Sequence, residues 1–538
     1  MVRILVADKI AEAGIERLRA ADDDVSFDVR LGLSPAELAG VIGEYDGVLI
    51  RSAVKITPET LAKPGRLAAI ARAGVGVDNV DVDAATQAGI LVLNTPDANT
   101  ISTAEHTIAM MLALHHRIAE AHHHVAGGGW NRSAYEGDQL AGRMLGIVGF
   151  GRIGRAVAQR ALGLEMKVTA FDPFVRGDTA LNGEVALTHD LEQILRVSDC
   201  VTLHASLSDE TRHLIGASQI SIMKRGAKLI NCARGALIDE AALAEALNSG
   251  RLGGAAVDVY ENEPPKGSPL LTARNVVLTP HLAASTTEAQ LRVSIDAVDA
   301  LLAYLLNGEV RSAVNVTGMP SHLSAHGRSF VDLCYRIGTI LSAWSTDGVE
   351  RITVTTHGES LREIGATMSW QAMVAVIGPH LHTRLNLVNA REQAQRRGIV
   401  VEHVALSQLA NQAESLTITI HSRGQARGIE GTVFADGRPR VLSIDGYRME
   451  LVPERSMVLI FNDDRPGVIG LVGQAFGNAG INIADMALSR RGKTALMVLK
   501  LDQVMPDDLR NTLSAANPPI LSVRTVSLPP VANDSTAT

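Results

Sequence analysis

Short aliphatic or β-branched runs alternate with amphipathic stretches over the first 315 residues. That is the pattern of βαβ units assembled on parallel sheets. The early runs are Arg3 to Ala7, Gly47 to Ile50, Leu67 to Ala71 and Ile90 to Leu93, and each gives way to polar, Gly or Pro residues: Asp8, Arg51-Ser52, Arg72-Ala73-Gly74 and Asn94-Thr95-Pro96. Ligands of open α/β sheets bind beyond the carboxyl ends of the strands, so Arg51 and Arg72 stand where a ligand is expected, the alternative being two surface arginines in loops. After Pro96, Ser102-Thr103-Ala104-Glu105 has the capping-box form and predicts one helix to about Val125, a connector between two domains.

A second set of runs follows at Met144 to Val148, Val168 to Phe171, Val201 to Leu203, Lys228 to Ile230, Ala255 to Val257 and Val276 to Leu278. These predict a doubly wound parallel sheet. An amphipathic helix, Thr287 to Leu306, leads to the strand-like Ala313 to Val316 and a boundary at Gly318-Met319-Pro320. If that helix packs back on the first domain, one domain (99–286) is inserted into another (1–98 plus 287–318). Residues 319–455 read as an α+β domain, with strand patterns at Arg351 to Thr355, Leu416 to Ile420, Thr432 to Phe434 and Arg440 to Ile444 and no catalytic constellation. Residues 456–528 have the order βαββαβ, a ferredoxin-like unit, and 529–538 read as a flexible tail.

Length and composition agree with several ordinary domains. The chain has 538 residues, which at about 150 per domain suggests three to four. Hydrophobic residues at 46% and charged residues at 20% exclude disordered, collagenous and disulfide-scaffold classes. A net charge of −8 and only 3% aromatic residues argue against a nucleic-acid partner. Cys200, Cys232 and Cys334 supply neither a disulfide framework nor a CxxC metal site and suit a reducing compartment. His115, His116 and the run His122 to His124 point to different faces of a helix and read as solvated, so no metal is expected. Asp8 comes too early for a signal peptide and no apolar run approaches 18 residues, so a cytoplasmic protein without a membrane partner is expected.

The chemistry concentrates in the second set. Gly149-Phe150-Gly151-Arg152-Ile153-Gly154 follows a strand and opens a helix, the context of a dinucleotide fingerprint. Its glycines serve a tight turn, approach of backbone N–H groups to a pyrophosphate, and close helix–strand packing. Asp172 ends the next strand, where a carboxylate accepts ribose hydroxyls and repels a 2′-phosphate, which favours NAD; a structural strand end is the alternative. Gly74-Val75-Gly76 lacks a third glycine and an acidic partner, and reads as backbone donors facing an anionic substrate. Arg234, Asp258 and His281 each follow a strand and point to one crevice. Oxidation of a secondary alcohol needs a base for the hydroxyl proton, a cation for the carboxylate and a hydride acceptor: His281, Arg234 and NAD fill these roles, with Glu263 fixing the imidazole tautomer.

Together, Gly149 to Gly154, Asn231-Cys232-Ala233-Arg234-Gly235, Ala256 to Pro265 and Thr279 to Thr286 resemble the D-isomer-specific 2-hydroxyacid dehydrogenases. Arg51 to Thr57, Arg72 to Asn79 and Asn462 to Gly467 resemble the long-form branch that oxidises 3-phospho-D-glycerate to 3-phosphooxypyruvate at the start of L-serine biosynthesis. That resemblance implies two doubly wound domains (a flavodoxin-like substrate domain and a Rossmann NAD domain), an intervening domain of the allosteric substrate-binding type, and an ACT domain. It implies Arg234, Glu263 and His281 as catalytic residues. Arg152, Ile153, Asp172, Cys232, Asp258 and Ala284 are implied at the cofactor, with Arg234 and His281 beside it. Arg51 and Arg72 are implied at a substrate phosphate, with Gly74, Val75, Gly76 and Asn99 near the substrate and Arg132 reaching a neighbouring subunit's site. Asp464 and Asn482 match polar positions associated with serine binding, and Asn462, the third implied effector residue, departs from the tyrosine that some serine-inhibited members carry there. A homotetramer is implied. A dehydrogenase for an unphosphorylated acid such as glycerate or 2-hydroxyglutarate, and a non-enzymatic NAD-sensing corepressor, are the alternative readings.

Overall fold

The computed structural model describes residues 1–21, 23–316, 323–344, 348–381, 383–407, 413–516 and 519–531. The boundary expected at Gly318 to Pro320 lies outside them. The first sheet has five parallel strands, β1 (Val2–Val6), β2 (Val25–Val29), β3 (Gly47–Ile50), β4 (Ala69–Arg72) and β5 (Leu91–Leu93), in the order β2-β1-β3-β4-β5. The order reverses beside β1, so the crevice of this domain opens at the carboxyl ends of β1, β3 and β4. Strand β2 escaped the hydrophobic reading because it is an edge strand with Asp28 and an exposed Val29.

The second sheet comprises β6 (Met144–Val148), β7 (Lys167–Phe171), β8 (Thr179–Ala180), β9 (Val185–Thr188), β10 (Cys200–Leu203), β11 (Lys228–Asn231), β12 (Gly254–Val257) and β13 (Val276–Leu278). Its order is β13-β12-β11-β10-β6-β7-β9-β8, parallel except for the short β8. Strands β8 and β9 were not foreseen: both are short, and they close the edge beyond β7 with few apolar residues. The topological switch lies between β10 and β6, where the glycine loop begins.

Three local expectations are corrected. The connector is two helices, Thr100–His115 and Ile118–Ala126, broken at Arg117, whose φ of 52° is left-handed. Ser102 is not its cap: the helix starts two residues earlier, and the Ser102 hydroxyl bonds the Thr286 hydroxyl at 2.7 Å instead. Ala313 to Val316 forms no strand, only a bridge from Ala313 to Leu93. The helix Thr287–Asn307, capped by Thr286 and ended by Gly308 at φ 67°, packs Val293, Ala297, Val298 and Leu301 against Ile4, Leu49 and Leu93. The chain thus re-enters its first domain.

The third sheet, β14 (Arg351–His357), β15 (Val400–Leu406), β16 (Ser415–Ser422), β17 (Gln425–Val433), β18 (Pro439–Ile444) and β19 (Tyr447–Leu451), runs β15-β14-β16-β17-β18-β19. The fourth, β20 (Arg455–Asp463), β21 (Ile483–Arg491), β22 (Thr494–Leu501) and β23 (Ile520–Leu528), has the ferredoxin-like order β21-β22-β20-β23 and is antiparallel throughout. One face of the fourth sheet carries its two helices. The other places Met457, Leu459, Val498 and Leu528 in one continuous core with Leu333, Ile337 and Trp344 of the third domain.

Buried Arg336 reinforces this junction, donating to the carbonyls of Pro453 and Pro529 at 2.9 and 2.7 Å and to that of Pro530 at 3.4 Å. The Val531 N–H bonds Glu454 at 3.1 Å. Residues 529–531 are therefore held, which corrects the expectation of a loose tail beginning at Pro529; the remainder of that tail lies outside the described residues. A loop of the third domain also docks on the first. Arg384 and Asn386 donate to the carbonyls of Leu67 and Gly89 at 2.8 and 2.7 Å. Among the described residues no helix is long and apolar enough to cross a membrane, and no cluster of three or more His, Cys, Asp or Glu is placed to hold a metal.

Candidate active site

The loop after β6 is shaped by two glycines that a side chain would break. Gly149 adopts φ 95°, and a Cβ there would overlap the His204 backbone. A Cβ on Gly154 would overlap the Gly149 carbonyl, so helix and loop touch directly. Gly151, which caps the helix Arg152–Gly163, faces open space with nothing within 4 Å. Asp172 leaves β7 and accepts the N–H groups of Phe150 and Phe174 at 2.8 and 2.9 Å, which ties it to the glycine loop. Arg152 pairs with Asp97 at 2.5 Å, and Ile153 packs on the domain core. A cradle open only at Gly151, at a helix N-terminus, with a carboxylate at its edge, fits a dinucleotide.

In the loops after β3 and β11, Arg51 and Arg234 lie close enough to Arg72 for their charges to act on it. Arg72 ends β4, and its guanidinium lies where a Cβ on Gly74 would be; Arg234 occupies the same relation to Gly76. Burial, then the charges of Arg234 and Arg51, push the Arg72 pKa down, with Asp78 and Asp8 opposing. Arg72 Nε is buried without a hydrogen-bond partner. Arg234 Nε holds Asp78 at 3.1 Å, and its Nη1 donates to the Ala233 carbonyl at 2.7 Å. The Asp8 carboxylate accepts the N–H groups of Arg51 and Ala53 at 3.0 Å, and the Arg51 guanidinium donates to the Lys9 carbonyl at 3.2 Å. Mutual repulsion among three cations is relieved by an anion, and each charge-assisted bond contributes about 1.5–3 kcal/mol.

The loops after β12 and β13 meet beside this cluster. His281 Nδ1 lies 2.8 and 3.0 Å from the two oxygens of Glu263, and Glu263 also accepts the Tyr260 N–H at 3.2 Å. The bond to Glu263 raises the His281 pKa against the effect of burial. Burial raises that of Glu263, but the bond and charge of His281 outweigh it and leave it lowered. Asp258 is fully buried, and its carboxylate accepts from Thr279 Oγ1 at 2.5 Å and from the N–H groups of Leu282 and Ala283 at 2.8 and 2.9 Å. Burial works to raise its pKa, yet these bonds and one from His106 hold it down.

The structure thus brings Arg51, Arg72, Gly74, Gly76 and Arg234 together, and joins Glu263 to His281. Val75 accepts Asn94 Nδ2 at 2.7 Å, and Asn99, at the start of the connector, buries its Oδ1 without a partner. The Cys232 thiol, 4% exposed, is pushed up to about 12 by burial and by Asp258, which makes it a small neutral core residue. The Ala284 carbonyl accepts Gln290 Nε2 at 2.8 Å. Arg132 lies on the exposed short helix Arg132–Tyr135, away from the three arginines of its own chain. In the last domain Asp464 pairs with Arg490 at 3.3 Å and Asn482 with Asp502 at 2.7 Å, while Asn462 is buried with its Oδ1 unpartnered. Sequence reasoning missed Asp78, His106 and Thr279. The only signal for Thr279 was its place two residues before His281, and the other two carried none.

This fold and site define a nicotinamide-dependent dehydrogenase of the 2-hydroxyacid class, and residues 108–283 match the family model for the D-isomer specific 2-hydroxyacid dehydrogenase NAD binding domain. Residues 327–445 match the D-3-phosphoglycerate dehydrogenase intervening domain and 456–517 the ACT domain. D-3-phosphoglycerate dehydrogenase of Methanocaldococcus jannaschii is 37% identical over 511 residues, 95% of this chain and 97% of that protein. The Bacillus subtilis protein of that name is 35% identical over 531 residues, 98% and 100% of the two chains. The chain belongs to the D-3-phosphoglycerate dehydrogenase family. Among solved structures, D-lactate dehydrogenase from Aquifex aeolicus, complexed with NAD and lactic acid, superposes with a TM-score of 0.51 at 28% identity, covering 60% of this chain and all of that one.

Proposed function

We propose that the chain oxidises 3-phospho-D-glycerate to 3-phosphooxypyruvate with NAD, the opening step of L-serine synthesis. The observation that carries this reading is the nearness of Arg51 and Arg234 to Arg72, with Arg234 also close enough to His281 for its charge to act there. A substrate with a carboxylate alone would leave two of the three cations unpaired. His281 Nε2 takes the hydroxyl proton, Glu263 holds Nδ1, and Arg234 binds the carboxylate and polarises the oxygen as the carbonyl forms. NAD, when bound, supplies the acceptor for the hydride leaving the same carbon. Gly149, Gly151, Gly154, Arg152, Ile153 and Asp172 would hold its adenosine and pyrophosphate, with Cys232, Asp258 and Ala284 lining the nicotinamide end. The name and near-complete coverage of the relatives support the substrate. NADH appearance with D-3-phosphoglycerate is expected, and its absence would refute the assignment.

We also infer serine as an effector and a homotetramer as the assembly. The ACT match supports an amino-acid ligand near Asn462, Asp464 and Asn482. Two separate exposed apolar surfaces support a tetramer: the arm with Ile118, Val125 and Trp130, where Trp130 is 82% exposed, and the edge strand β21 with Met486 and Leu488. The exposure of Arg132 on that arm supports its reach toward a neighbouring subunit. Three buried free thiols suit a cytoplasmic protein. Calorimetry with L-serine and sedimentation analysis test the two inferences: no serine binding removes the effector, and a monomer removes the assembly.

A further inference from the structure

We infer that His106, on the helix joining the first two domains, is a positioning residue for His281. The inference rests on the dehydrogenase reading above and adds a residue to it. His281 holds φ 57°, a left-handed conformation uncommon for a residue with a side chain. The group that holds this turn is Asp258. Its carbonyl accepts the His281 N–H at 2.8 Å, and its carboxylate takes three donors from the same turn, Thr279 Oγ1 and the N–H groups of Leu282 and Ala283.

Burial of this carboxylate is offset by its donors, and one of them comes from outside the turn it organises. Among the described residues the side-chain donor it meets from outside that turn is His106, whose Nε2 lies 3.2 Å from Asp258 Oδ1 and 3.4 Å from Thr279 Oγ1. Four residues earlier on the same helix face, Ser102 bonds Thr286, the residue that caps the returning helix. The connector therefore grips both ends of the segment Thr279 to Thr286 that carries His281. Its first turn begins at Asn99, where the chain leaves the substrate domain, so the element that sets the distance between the domains also frames the base.

Three variants separate positioning from bulk structure. His106→Gln keeps an N–H donor at the reach of Nε2, His106→Asn keeps polarity but falls short, and His106→Leu removes the donor. We expect kcat with 3-phosphoglycerate to fall about 10- to 100-fold in the Asn and Leu variants, the loss typical of a reacting group displaced by an ångström, with recovery in the Gln variant. NADH affinity by fluorescence should stay within about twofold, because the glycine loop is untouched. Crystal structures should show the His281–Glu263 pair broken, or the left-handed turn lost, in the Leu or Asn variant and kept in the Gln variant. Equal kcat in all four proteins, or Leu and Asn crystals in which the turn and the His281–Glu263 pair are both unchanged, would overturn the inference. A wild-type protein without turnover would defeat the dehydrogenase reading instead, and the crystals would still decide the role of His106.

Discussion

Glu263 meets His281 Nδ1 with both carboxylate oxygens, at 2.8 and 3.0 Å, which leaves Nε2 as the nitrogen free to exchange a proton. Because this bond raises the His281 pKa above its ordinary 6.5, a larger fraction of the imidazole stays protonated in mildly acidic solution. Oxidation needs the neutral ring, so kcat/KM in that direction should fall as pH drops through the raised value, while reduction of the keto acid should fall as pH rises through it. Glu263→Gln removes the raising interaction. Its acid limb should move to lower pH, and a limb that stays in place would show that another group controls the profile.

Arg51 and Arg72 are expected to act on the phosphate, not on the chemistry. Replacing either with Ala should lower kcat/KM for 3-phosphoglycerate by about 10- to 150-fold, the equivalent of one charge-assisted bond of about 1.5–3 kcal/mol. Turnover of unphosphorylated D-glycerate, measured in parallel, should change by less than about threefold in the same variants. Equal losses on both acids would move these arginines to the reacting centre.

Gly235 predicts a failure of folding instead of one of chemistry. A Cβ at this position would overlap the backbone of Tyr260, and no side-chain rotation relieves a clash between backbones. Gly235→Ala should lower the Tm and, where soluble protein is recovered, displace Arg234 and cost activity. Gly151→Ala meets open space and should fold normally while weakening NADH, a contrast that thermal melts and fluorescence titration read directly.

Arg336 joins the third domain to the fourth. Arg336→Leu leaves the carbonyls of Pro453, Pro529 and Pro530 without their donor. The shared core spans both domains, so the variant should melt them together at lower temperature while the first two domains keep their NADH affinity. A calorimetric trace identical to wild type would count against this view of the junction.

How far the sequence could be read depended on where the information lay. Fully buried strands such as Leu49 in β3 or Ile230 in β11 announce themselves as unbroken apolar runs, and the glycine loop is a local motif fixed by backbone clashes. Edge strands β2 and β8 carry polar residues and lose that signal, and β9 is only four residues long. Ser102 illustrates a sharper failure: its spacing to Glu105 satisfies a capping rule, yet a tertiary partner 184 residues away, Thr286, claims the hydroxyl. The positions of Arg234 and His281 were legible because each follows a strand end, and Glu263 was read from the loop that follows Asp258. Asp78 and His106 were not, since their partners lie 156 and 152 residues distant along the chain and no local pattern encodes such pairs.

The three-arginine cleft is expected to select a phosphorylated 2-hydroxy acid, and the ratio of kcat/KM for D-3-phosphoglycerate to that for D-glycerate, with NAD, measures that selection. The structure predicts a ratio of at least about 100, from two cations that only the phosphate can satisfy. A ratio near one would contradict it and return Arg51 and Arg72 to the status of surface arginines.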